Sequence, residues 1–132
     1  RAVYSLDLRN HGQSPWSETM DYGIMADDVL EFIDHLDYRR IVLLGHSMGG
    51  KVAMHLAMRD TRRLDGVIIA DIAPVRYAHD FDHLIEPMLA LDISTINSRG
   101  QADLKLSEFV PEAHIRAFLL HNLDYDKASD RW

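Results

Sequence analysis

The residues whose types and spacing can do chemistry are Gly45, His46, Ser47, Met48 and Gly49, a G-x-S-x-G pattern placed directly after the apolar run "RIVLL". A serine becomes a nucleophile when a sharp strand-to-helix turn lifts its hydroxyl clear of the fold. Glycines two positions to either side, here Gly45 and Gly49, remove side chains that would clash in such a turn. Helical periodicity resumes at once after Ser47, with Val52, Ala53, Leu56 and Ala57 on one face. A chance G-x-S-x-G arises in about 4 of 100 chains of this size. Requiring a buried strand before it and a helix after it lowers that several-fold, so the pattern reads as a nucleophile elbow rather than a structural turn. The amides that open the helix near Met48 face the same spot and favour a developing oxyanion.

A serine nucleophile needs a base, and the base needs an orienting acid. Asp71 closes the next buried run, "GVIIAD". Parallel strands joined by one crossover end on the same sheet edge, so Asp71 and Ser47 are expected on one rim. The plainer alternative is that Asp71 caps the turn "IAPV". The histidines fit less well. His35 and His55 lie inside helical patterns, and the His46 side chain is expected to point away from the site. His79, His83, His114 and His121 follow Asp71 in the order the chemistry allows, but on helical segments rather than after a strand. The base is therefore expected outside this stretch. His79, Asp80, Asp82 and His83 are close in sequence but lack a third ligand at a sensible spacing, so no metal is expected. In "DLRNHGQSPW", Arg9 and His11 are expected to build a turn rather than to reach a pocket.

The elements that position these residues follow from the apolar spacing. "AVYSLDL", residues 2 to 8, is rich in β-formers and ends in a turn-like stretch. Tyr22, Met25, Val29, Phe32, Ile33 and Leu36 describe a helix from Met20 to Leu36. Ile41 to Gly45 and Gly66 to Asp71 read as strands apolar on both faces. This order predicts a parallel α/β sheet with flanking helices over residues 1–75. Residues 76–132 show only helical signals and read as a helical cap. There Leu84, Ile85, Met88, Leu89 and Leu91 share a helix, Ser98 and Gln101 stand at capping-box spacing, and Pro111 opens a helix that buries Ile115, Phe118 and Leu119.

Composition bounds the function. The chain has 132 residues, 47% hydrophobic and 27% charged, which is ordinary for a globular protein. Its net charge of -7, with no basic cluster, argues against a nucleic-acid surface. No apolar stretch is long enough to span a bilayer. With no cysteine, disulfides, thiolate-held metals and cysteine nucleophiles are excluded, and a reducing compartment such as the cytoplasm is compatible. The chain opens inside a strand-like run and stops at "DKASDRW", so it is expected to be an interior piece of a longer protein.

On these residues the chain resembles the α/β-hydrolase superfamily. "DLRNHGQS" is similar to that family's D-x-R-G-x-G-x-S loop, with Asn10 in place of the usual glycine. "VLLGHSMGG" resembles its elbow, and "GVIIADIAPV" its following strand. The acid 24 residues after the serine is similar to small bacterial esterases of the YbfF type and their mitochondrial abhydrolase relatives. The resemblance implies Ser47 as nucleophile, the Met48 backbone amide as one oxyanion donor and Asp71 as the acid. It also implies a catalytic histidine and a second oxyanion donor on loops outside this stretch, no cofactor, and a small acyl ester or thioester as substrate. A mitochondrial location is implied for a eukaryotic source. Two readings from other classes stand beside it: a non-catalytic fold that binds ligands or partners, and an inactive fragment.

Overall fold

The computed structural model describes residues 2–36, 38–78 and 81–132. The chain forms two compact units, residues 1–76 and 77–132. In the first, helix α1 spans Tyr22–His35, strand β1 Ile41–His46, helix α2 Met48–Arg59 and strand β2 Leu64–Ala70.

Each element has a local cause. Asp21 caps α1 by accepting from the Ile24 amide at 2.8 Å. Met25, Ala26, Val29 and Ile33, at steps of one, three and four, form the buried stripe of α1. They close with Val52 and Leu56 of α2 and Leu64 of β2 into the core of this unit, flanked by Leu43 and Val67. Met25 and Leu56 are 1% exposed, and burying such a side chain stabilises by about 1.5–3 kcal/mol. The two strands pair in parallel, from Val42 opposite Gly66 to His46 opposite Ala70, as the strand–helix–strand order requires.

Two expectations for this unit fail. Residues 2–8 form no strand, because β-propensity acts through pairing and the described residues offer this segment no ladder partner. Its Tyr4 ring packs edge-on against Phe32 and Tyr38 instead. The strands are also not buried on both faces. Ile41 and Leu43 pack on the core, whereas Val42 is 59% and Leu44 65% exposed on the opposite face.

The second unit contains α3, Asp82–Ala90; α4, Arg99–Leu106; and α5, Ala113–Leu119. The Ser98 hydroxyl accepts from the Gln101 amide at 3.2 Å, as the capping spacing predicts, while the Gln101 side chain accepts from the Asn97 amide. The core holds Ile96, Ala102, Leu106, Leu120 and Leu123. Phe118, expected inside, is 70% exposed. The α5 helix ends at Leu119, and the short 3-10 turn Leu120–Asn122 that follows rotates Leu120 into the core.

Candidate active site

Ser47 is the single residue between β1 and α2, at φ 49° and ψ -116°. A non-glycine residue at positive φ is strained, and such strain persists only where its surroundings over-determine it. Three backbone hydrogen bonds do so here. The Ser47 amide donates to the Ala70 carbonyl at 3.0 Å, and the Ser47 carbonyl accepts from Gly50 at 2.9 Å and Lys51 at 3.3 Å. Met48 and Gly49 open α2, so their amides precede the helix's own hydrogen-bond ladder.

The glycines divide differently from the motif. A Cβ on Gly45 would run into the carbonyl of Gly49, so the strand end and the first helical turn approach too closely for any side chain. A Cβ on Gly49 meets nothing within 4 Å. The second position that needs glycine is Gly50, where a Cβ would lie 2.5 Å from Ile72 Cγ2.

Asp71 directly follows β2 and also takes a positive φ, 56°. Extending the register by one residue past His46 and Ala70 sets it opposite Ser47. Its side chain is 84% exposed. His46 does not point away from it: its Nε2 lies 3.4 Å from Asp71 Oδ2, because His46 shares the outward face of β1 with Val42 and Leu44.

Among the described residues no imidazole is hydrogen-bonded to Ser47. His35 Nδ1 lies 2.7 Å from the Glu31 carbonyl, and His55 packs against Tyr22 at 5.8 Å, as inert helical histidines do. His83, His114 and His121 are exposed in the second unit. His79 and Asp80 lie outside the described residues, so the metal-like cluster involving them does too.

The loop after residue 8 is a built turn. Arg9 donates twice to Asp28 at 2.6 Å, and this hydrogen-bonded pairing holds the Asp28 carboxyl below the usual carboxylate range. His11 Nδ1 lies 2.8 Å from the Arg9 carbonyl. Asn10 sits at φ 63°, the left-handed region that asparagine tolerates better than most residues. Its amide donates to the Ser17 carbonyl at 3.0 Å and accepts from the Ser17 amide at 2.6 Å. That pair of bonds explains how asparagine serves where a glycine was expected.

Lys51 makes a contact beside the site that the spacing did not reveal. Its ammonium donates to the Ala73 carbonyl at 2.8 Å and the Val75 carbonyl at 2.6 Å, just beyond Asp71. The available signal was a cation near the N-terminus of a helix, where the helix dipole disfavours it.

Known proteins are similar to this chain in sequence and fold. A family model described as the alpha/beta hydrolase fold covers residues 1–131. The sn-1-specific diacylglycerol lipase ABHD11 of Xenopus laevis is 37% identical, over 100% of this chain and 44% of the relative. Esterase YbfF of Escherichia coli is 34% identical, over 89% of this chain and 47% of the relative. A putative esterase/lipase of Haemophilus influenzae is 33% identical, over 96% and 45%. A solved structure of a marine microorganism esterase superposes with a TM-score of 0.84 at 31% identity, covering 95% of this chain and 50% of the other. The chain thus spans somewhat less than half the length of these curated relatives.

Proposed function

The chain belongs to the α/β-hydrolase family, and from that premise we propose that the protein carrying it is a serine hydrolase of carboxylic esters or thioesters. The observation that carries this reading is the strained Ser47, tied by its amide to the end of the strand that delivers Asp71. The esterase and lipase names of the relatives support an acyl ester as the substrate class.

In this reading Ser47 Oγ attacks the acyl carbon while an imidazole takes its proton. The carbonyl electron pair moves onto oxygen, where the Met48 amide stabilises the charge. Collapse expels the alcohol or thiol, which takes the proton back from the imidazole. Water, deprotonated by the same imidazole, attacks the acyl-enzyme, and the acid leaves as Ser47 regains its proton. Asp71 orients the imidazole, which we assign to a residue outside the described ones. No step calls for a cofactor. The second unit, whose named elements among the described residues are helices, is read as a cap segment. Among the described residues no helix is long and apolar enough to cross a membrane. The cysteine-free composition is compatible with a reducing compartment such as the cytoplasm.

The test is covalent. In the full-length protein a fluorophosphonate should label Ser47 and stop ester hydrolysis, and Ser47→Ala should abolish both. Labelling that survives the substitution overturns the elbow assignment. A wild-type protein that is neither labelled nor active supports the non-catalytic reading instead.

A further inference from the structure

The elbow's tail, Gly50-Lys51, reaches across to the segment that follows the acid. Ile72 Cγ2 sits over the bare Cα of Gly50, in space that a side chain there would fill. One residue on, the Lys51 ammonium holds two main-chain carbonyls, Ala73 at 2.8 Å and Val75 at 2.6 Å. Between the strand and this anchored segment stands Asp71, in a left-handed conformation that an L-residue keeps only when its neighbours enforce it. On the strand side the enforcement is the Ser47–Ala70 hydrogen bond. On the far side it is the contact with Gly50 and the two bonds from Lys51.

We propose that Lys51 is a positioning residue, which clamps residues 73–75 onto α2 and so sets where the Asp71 carboxylate stands relative to Ser47. The proposal rests on the reading of Asp71 as the orienting acid. Electrostatics support it from a separate direction. A cation near the start of a helix opposes the helix dipole, and the two carbonyls compensate it. The elbow and the helix turn after it therefore carry both the nucleophile and the clamp for its acid, so one short helix start fixes two members of the relay.

The experiment is a double-mutant cycle in the full-length protein, read as kcat and KM on a short p-nitrophenyl ester. Lys51→Met keeps the aliphatic stem and removes the donors. It should lower kcat by about 10²-fold, the scale for misplacing a catalytic group by about 1 Å, with KM little changed. Lys51→Arg, whose fork can reach both carbonyls, should recover most of the loss. In the Asp71→Asn background, Lys51→Met should cost little more, because the group it positions has already been disabled. An equal fold-loss in both backgrounds, or a rise in KM with kcat unchanged, overturns the proposal. Should Lys51→Met not fold, Lys51→Gln is put through the same cycle and decides on the same terms. The singles separate this inference from the reading beneath it. Activity that survives Ser47→Ala sinks the hydrolase reading. Activity lost in Ser47→Ala but kept in Asp71→Asn leaves the hydrolase standing and removes the clamp's purpose.

Discussion

The Ser47 amide donates to the Ala70 carbonyl at 3.0 Å, so the nucleophile candidate is bonded to the residue immediately before Asp71. This bond continues the parallel ladder one step past β1, where the backbone at both Ser47 and Asp71 has positive φ. Two residues at positive φ thus stand side by side at the end of two strands, each held there by its surroundings.

Asp71→Asn should leave the fold intact, since the side chain is largely exposed and, among the described residues, is paired with His46 alone. Ester turnover should fall by about 10⁴-fold if the imidazole loses its orientation. Steady-state kinetics of the purified variant measure this. A loss under about tenfold places the orienting acid at another residue.

The two glycines of the motif should behave in opposite ways. Gly45→Ala forces a Cβ into the Gly49 carbonyl, and it should cost at least about 1–3 kcal/mol and lower probe labelling of Ser47. Gly49→Ala meets open space in the first turn of a helix, where alanine exceeds glycine by about 0.5–1 kcal/mol in propensity. Urea denaturation of the two variants should bracket the wild type. Equal destabilisation would contradict the geometry.

Much of this site was legible because its signals are local. An apolar strand, a G-x-S-x-G turn and a helical period sit within twenty residues, and the next apolar run ends in Asp71. Those elements form within a residue or two of the expected bounds. The failures involve partners distant in sequence. Nothing local to residues 2–8 shows that they find no ladder, and nothing in "RIVLL" shows that Val42 and Leu44 face outward. Nothing local to Gly50 and Lys51 shows their contacts either, because the partners, Ile72, Ala73 and Val75, lie more than twenty positions away.

Asn10 should be more stabilising than either of its two simplest replacements. Asn10→Gly keeps the left-handed backbone but loses the two bonds to Ser17, for about 1–2 kcal/mol. Asn10→Ala loses the bonds and adds the strain of positive φ, for about 2–4 kcal/mol in total. The order wild type, glycine, alanine in urea midpoints is the expected outcome, and alanine at or above glycine would refute it.

The Arg9–Asp28 pair predicts an acid-sensitive part of stability. The Asp28 carboxyl is lowered in the folded state, first by its hydrogen bonds from Arg9. An unfolded chain then binds the proton more readily, so the contribution is fully present above about pH 3.9 and is lost as pH falls below it. Between about pH 5 and pH 3 the wild type should lose stability more steeply than Asp28→Asn. The Asp28 side chain is 35% exposed, so 1 M salt (a Debye length of about 3 Å) should narrow the difference. Parallel curves for the two proteins would exclude the pair as the cause.

The outward face of the sheet predicts how residues 1–132 behave when produced alone. Leu44 and Ile68 are cross-strand partners in the register, and both are more than half exposed, beside the exposed Val42. Gly66, opposite Val42, adds no side chain to cover it. Among the described residues neither outer edge of the two strands is paired. An apolar face beside open edges favours edge-to-edge association, and a two-stranded sheet has little stability of its own to resist it. Size exclusion over a range of concentrations should therefore show self-association of the isolated stretch. Leu44→Lys with Ile68→Glu sets opposite charges directly across the strands, where they attract within one sheet while a buried contact between sheets becomes costly. That double variant should elute as a smaller species with its helical circular dichroism unchanged. If the unaltered stretch already runs as a monomer at every concentration, the exposed face is not sticky enough to drive association. If the double variant still associates, the contact lies on another surface.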